Sequence, residues 1–326
     1  MKILFLAQLP PPIHGPSKIS RLLLDCLEKE NSIAVDYLNI STSKSLYNIG
    51  ALNFIKIKRL IIIYFKLLKL LFNNKYDLIY ISMAISDNAF FKDLIFLVVS
   101  KIFIRRRIIH FHSAGLKKRL LSSKFPYIIS KLYSIIFKNC ELIHLSKLLL
   151  KDLDINHFEN IHILPNGIND RFEPYNSNFE KKYQVLFLSN LIESKGIFVL
   201  LEALNNLKKI KFHFKACIAG ASYSDSTNIK LKNLIEDYKL QNNIDILGPV
   251  YGVEKFNLLY QSQILVFPTL LDCMPLTILE AMSFGIPVIS TNVGAISEIL
   301  DNGNCGILIK KNDSLELSHS ILNLLK

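Results

Sequence analysis

The chain has 326 residues, half of them hydrophobic, with 39 Lys and Arg against 27 Asp and Glu, a net charge of +12. That length suits two doubly wound domains, each burying its own core. The five cysteines (Cys26, Cys140, Cys217, Cys273, Cys305) are scattered and form no C-x-x-C, which argues against a disulfide framework and a zinc site and fits a reducing cytosol.

Residues 3–7 read as a buried strand. Apolar at the very start, the chain imitates a signal peptide, but it meets Pro10-Pro-Pro12 where a small-residue cleavage site would stand. The loop that follows carries Gly15 and leads into a helix to about residue 29. Residues 51–72 are helical and heavily apolar, with Lys56, Lys58, Arg59, Lys66 and Lys69 on one arc. That arc is either the solvated face of a domain helix or a face laid on a membrane surface. Residues 77–82 form a strand, 88–104 a helix and 108–112 another strand, and a second basic amphipathic segment spans 116–138. The apolar runs at 60–65 and 94–100 are far too short to span a membrane.

Charge is uneven. Residues 1–170 hold 24 Lys and Arg against 12 Asp and Glu, whereas residues 171–326 hold 15 of each. All the excess is in the first half, which should seek an anionic surface: lipid head groups, a phosphorylated acceptor or nucleic acid.

His112 ends a strand where α/β sheets place ligands, with His110 two residues earlier on the same face. No carboxylate or cysteine accompanies them as a metal partner. Strands at 141–146 and 160–164 close the first domain, and Asp152-Leu-Asp154 between them reads as a solvated pair. The turn-rich stretch around Pro165-Asn-Gly167 and Pro174 is a linker. This gives domains at 1–165 and 184–326, joined by 166–183.

The second domain opens with a strand at 185–189. Asn190 and Lys195-Gly196 then lead into a helix over 197–209, where Lys195 can place an ammonium on a phosphate. Strands are expected at 214–219, 244–247, 264–267 and 287–290, a helix at 276–282 that Gly285 stops, a further helix from about 293 and a last strand at 306–309. Between 267 and 276 lies Asp272-Cys-Met-Pro275. With Pro275 at the first helical position, the N–H groups of Met274, Leu276 and Thr277 would make an anion site. Asp272 and Glu280, seven residues apart, flank it.

The acid pair, followed by Ala281-Met282, Gly285 and Pro287-Val288, resembles the signature of the retaining GT4 glycosyltransferases. The resemblance implies the GT-B fold, two Rossmann-like domains facing a central cleft. It also implies a nucleotide-sugar donor bound mainly by the second domain. Asp272 would position the sugar, Glu280 hold the ribose, and Lys195, Gly15 and the helix-start amides meet the diphosphate, with His112 on the donor sugar. The usual Glu is Asp272, the usual Gly is Cys273, and the usual arginine near Lys195 is Asn190. Family members generally continue with a helix that crosses back to the first domain, and none is expected before the end at Lys326.

The resulting expectation is a metal-independent hexosyltransferase moving a sugar, with retention, to a glycan acceptor, lipid-linked, in bacterial surface polysaccharide synthesis of O-antigen or capsule type. It would need no cofactor beyond its donor and would sit on the cytoplasmic face of an anionic plasma membrane. Two alternatives are a GT-B sugar-nucleotide epimerase, which would need acid/base groups at the sugar, and a basic nucleic-acid-binding protein. For the second, no reader motif or stacking platform is present, so no nucleic-acid partner is expected.

Overall fold

Short apolar runs alternate with amphipathic helical segments along the chain, a pattern that buries parallel sheets beneath helices on both faces. The computed structural model describes residues 1–42, 54–85, 87–122, 125–153, 157–168, 180–222 and 224–326. It divides into two units, Met1–Asn166 and Gly167–Lys326.

In the first unit the elements are β1 (Lys2–Ala7), α1 (Gly15–Glu28), β2 (Ala34–Asn39), α2 (Phe54–Asn73), β3 (Leu78–Met83), α3 (Asp87–Phe103), β4 (Arg106–Phe111), α4 (Leu116–Leu121), α5 (Pro126–Phe137), β5 (Cys140–His144) and β6 (Asn160–Ile163). All strands are parallel, in the order β2-β1-β3-β4-β5-β6. Alternate residues of a strand point to opposite faces. Leu4, Leu6, Ile79, Ile81 and Ile109 therefore share one core with α2, α3 and α5. Phe5 and Tyr80, stacked at 4.5 Å, turn to the other side, where Leu24 of α1 covers them.

Two expectations change here. The segment 116–138 is two helices, because Pro126 lacks the N–H and crowds the preceding turn, so it can only start a helix. The lysine arc of α2 is also broken, since Lys56 is buried while Lys58, Lys66 and Lys69 are exposed. Residues 51–53, Asp154 and linker residues 169–179 lie outside the described residues.

The second unit contains β7 (Tyr183–Leu188), α6 (Ile197–Lys209), β8 (Ala216–Ala219), α7 (Asp225–Asp237), β9 (Ile244–Gly248), α8 (Gly252–Tyr260), β10 (Ser262–Phe267), α9 (Leu276–Ser283), β11 (Val288–Thr291), α10 (Ile296–Ile299), β12 (Ile307–Ile309) and α11 (Ser314–Leu325). Its parallel sheet runs β12-β11-β10-β7-β8-β9. The chain winds outward from β7 to β9, then returns to β7's other side at β10 and winds the opposite way. The carboxyl ends of β7 and β10 lie side by side at this reversal, the position at which doubly wound sheets bind ligands.

Candidate active site

Lys195 and Asp272 flank that reversal point. Lys195 closes a short 3-10 turn after β7, and Gly196, at φ +79°, follows it. A Cβ at Gly196 would lie 1.9 Å from the carbonyl oxygen of Pro268, so a bare α-carbon is what lets this turn pack on the segment after β10. The Ser194 carbonyl accepts from Leu270 N–H (2.8 Å), Leu271 N–H (3.2 Å) and Thr269 Oγ1 (3.0 Å). Thr291, at the end of β11, donates its hydroxyl to the Thr269 carbonyl. Gly294, at φ +58°, would place a Cβ 2.2 Å from the Asp272 carbonyl oxygen, and Ala295 N–H donates to the Cys273 carbonyl at 2.7 Å.

Three loops, after β7, β10 and β11, are thus clamped together, and they fix two charges. Asp272 Oδ1 accepts from Cys273 N–H at 2.8 Å, while its Oδ2 meets Lys195 Nζ at 2.6 Å. The Lys195 and Asp272 side chains keep 19% and 16% of their surface exposed, enough for a ligand to reach either. Asn190 stands two residues beyond β7, where its carbonyl accepts from Ile192 N–H.

Helix α9 begins at Leu276, where the sequence put it, but Pro275 is not its first helical position. Pro275 is extended (φ −72°, ψ 124°) and caps the helix instead of opening it. The first-turn amides without an intrahelical partner are therefore those of Leu276, Thr277 and Ile278. Met274 lies outside the helix with its side chain buried. Among the described residues no side chain caps this end, so the amides and the helix dipole remain available to an anion.

Glu280 is buried, and its Oε1 accepts from Lys255 Nζ of α8, itself buried. Sequence reading missed Lys255. The signal was present: Lys255 shares a helical face with the buried Leu258 and Leu259, and a cation on an apolar face needs an anion. Among the described residues, no side chain donates to Glu280 Oε2, which leaves an acceptor for a hydroxyl.

In the first unit, Gly15 is the first residue of α1, with open space where a Cβ would be. His14 caps that helix, its Nδ1 accepting from Ser17 N–H at 3.3 Å while Ser17 Oγ accepts from His14 N–H at 3.0 Å. His112 lies one residue beyond β4, its ring 3.9 Å from that of His110. His110 Nδ1 lies 2.7 Å from the Tyr80 hydroxyl. Although His112 keeps some exposure, both its ring nitrogens are buried and lack a hydrogen-bond partner among the described residues, as do the buried Nε2 atoms of His110 and His144. Burial pushes His112 and His144 down to about 4 and His110 well below its ordinary value. All three are neutral at pH 7.

Among the described residues, no three His, Cys, Asp or Glu side chains converge on a point that could hold a metal ion. Asp152 ends a 3-10 turn (Leu148–Asp152).

Residues 169–326 match the family described as Glycosyl transferases group 1. The second unit is a group 1 glycosyltransferase domain. Over 186 residues the chain is 30% identical to an uncharacterized glycosyltransferase of Methanocaldococcus jannaschii, covering 57% of this chain and 49% of that one. Over 141 residues it is 29% identical to WcaL of Salmonella typhimurium, named for colanic acid biosynthesis, covering 41% and 34%. The chain thus spans between a third and a half of these relatives. The solved structure of Anabaena HepE in complex with UDP and glucose superposes with a TM-score of 0.69 at 19% identity, covering 100% of this chain and 90% of HepE. That likeness shows the fold, two Rossmann-like units of the GT-B type. Asn190, Lys195, Asp272, Leu276, Thr277 and Glu280 lie within the group 1 domain, whereas Gly15 and His112 lie in the other unit.

Proposed function

We propose that the chain transfers a sugar from a nucleotide-diphosphate donor to a glycan acceptor, with retention of anomeric configuration. The Lys195–Asp272 pair carries this reading, a cation and a carboxylate held at 2.6 Å beside the β7/β10 reversal of a group 1 domain. Charge develops on the diphosphate as it leaves the sugar, and stabilising that charge lowers the barrier. Lys195 and the first amides of α9 meet it, Asp272 orients the sugar hydroxyls, and Glu280 Oε2 accepts from the ribose. Gly15 gives a phosphate close backbone approach, Asn190 lines the same loop as Lys195, and His112 contacts the sugar. Protein cations and amides neutralise the diphosphate, so no metal is required. UDP in the HepE complex supports a nucleotide-linked donor, and the colanic acid name of WcaL supports surface-polysaccharide assembly. The acceptor is lipid-linked and presented at the cytoplasmic face of the membrane, which suits the +12 charge.

Incubation with radiolabelled nucleotide-sugars, with and without a lipid-linked acceptor, tests this. Label transferred to the acceptor is the expected result. A free epimer of the donor, or unchanged donor with every sugar tried, would overturn it.

A further inference from the structure

The outer side of the helix layer on the first sheet does not look like a water-facing surface. Helices α2, α3 and α5 all cover the same face of that sheet. They are tied side by side: Tyr64 of α2 donates to the Lys92 carbonyl of α3 at 2.9 Å, Phe72 meets Phe103 edge-on at 5.0 Å, and Lys101 of α3 donates to the Ile135 carbonyl of α5 at 2.6 Å. A helix in such a layer normally buries one apolar stripe and turns polar residues outward. In the second unit, α6 does so, since Glu202 and Lys209 are its only exposed residues.

The three helices of the first unit carry a second apolar stripe, on the outside. On α3 it is Phe91, Ile95, Val98 and Ile102, spaced four, three and four residues apart, and Ile102 is 79% exposed. On α5 it is Ile128, Leu132 and Ile135, next to Tyr127 at 80%. On α2 it is Ile61, Phe65 and Phe72. A contiguous exposed apolar patch of this kind marks an interaction surface.

Charge identifies the partner. From residue 54 to residue 138 the sequence holds seventeen Lys and Arg against three Asp and no Glu. Of those three, Asp93 is fully buried and ion-paired with Lys92. Lys58, Lys66 and Lys69 of α2 and Lys131 of α5 are exposed on the helices of this layer, and Lys117 and Lys118 are exposed on α4, which precedes α5 in the chain. Lysines beside exposed Ile, Phe and Tyr match a bilayer with anionic head groups, where rings and aliphatic chains enter the acyl boundary and ammonium groups meet phosphate. Among the described residues, no helix is long and apolar enough to cross a membrane.

We infer that the outer face of α2, α3 and α5 inserts shallowly into an anionic lipid bilayer and is the surface on which this chain meets its acceptor. The inference deepens the proposed function by placing acceptor presentation, and it rests on that reading only for the acceptor. It also differs from simple electrostatic adsorption, because apolar insertion is not screened by salt.

Co-sedimentation of the intact chain with phosphatidylglycerol-containing vesicles, at low and high ionic strength, tests it. Three proteins are compared: the native chain, Ile102→Glu/Ile128→Glu, and Lys117→Ser/Lys118→Ser/Lys131→Ser. The native chain should bind and stay partly bound at high salt. The glutamate variant should partition about tenfold less or weaker still at both salts, with its thermal melt unchanged, because two exposed insertion points become anionic. The serine variant should lose binding mainly at low salt. Complete release of the native chain by salt, with the glutamate variant behaving identically, would overturn the inference. So would concentration-dependent self-association that the glutamate variant abolishes in the absence of vesicles, since a second copy would then cover the face. Donor hydrolysis measured without vesicles tests the sugar-transfer reading separately and should be equal in all three proteins.

Discussion

Lys195, on the turn after β7, and Asp272, on the loop after β10, form a 2.6 Å ion pair at the point where the second sheet reverses its winding. The pair is held by backbone contacts on both sides, so neither side chain needs the other to stay in place. A donor can therefore exchange this contact for its own. The diphosphate would take the ammonium and a sugar hydroxyl the carboxylate.

Lys195→Ala should accordingly lower turnover more than donor affinity, because charge on the leaving diphosphate is greatest in the transition state. A loss of about 10²–10³ in kcat is expected, the size seen when one such stabilising donor is removed. Steady-state kinetics beside donor-binding isotherms check it, and equal losses in both would assign Lys195 to ground-state binding. Asp272→Asn should lower turnover yet leave affinity for the sugar-free nucleoside diphosphate undiminished.

Glu280 faces two demands on the proposed reading, since it balances buried Lys255 through Oε1 and would offer Oε2 to a ribose. Glu280→Gln would strand a buried ammonium and should cost about 3–5 kcal/mol of stability. Adding Lys255→Met should recover most of that loss, because the uncompensated charge goes with it. Donor affinity should remain weaker by about 1.5–3 kcal/mol in both variants, since the charged acceptor is still missing. Urea melts and donor titrations of the two single variants and the double variant separate the roles.

Much of the second unit could be read in the sequence because its chemistry is local. The strand at 264–267, the acid pair around Pro275 and the Lys195-Gly196 turn each show in a window of a few residues. Two things could not be read there. The Lys195–Asp272 pair joins positions 77 residues apart, and only the sheet order brings β7 beside β10. Lys255 shows in the sequence only as a cation on an apolar helical face, and that its anion is Glu280 appears once α8 is seen beside α9. The break at Pro126 was written in the sequence, yet the amphipathic pattern runs through it and masks two helices as one. The β2 strand gives a weak sequence signal because its burial is partial, with only Leu38 buried.

The histidines make acid stability a specific expectation. His112 and His144 are held near 4, below the 6.5 of an exposed imidazole, so between those values the unfolded chain binds more protons than the folded one. Stability contributed by the neutral rings is complete above about pH 6.5 and is lost as pH falls toward 4. The loss should be on the order of 2 kcal/mol per ring. Urea midpoints measured from pH 7.5 to 4.5 should fall for the native chain and fall less for His144→Gln.

Turnover should persist in a chelator. Protein cations and helix amides are proposed to carry the diphosphate charge, so EDTA should leave the rate of sugar transfer within about twofold, far less than the several kcal/mol a metal Lewis acid supplies. A rate lost in EDTA and restored by magnesium or manganese would assign that charge to a metal.

The central claim is that the donor diphosphate binds at the β7/β10 reversal of the group 1 domain. Hydrogen–deuterium exchange of the intact chain, with and without a panel of nucleoside diphosphates, tests it most directly. With the nucleotide that binds, protection should appear in residues 190–196 and 272–280, and at saturating nucleotide it should persist over 272–280 in Lys195→Ala. Protection confined to the first unit, or no nucleotide of the panel binding at all, would contradict the account.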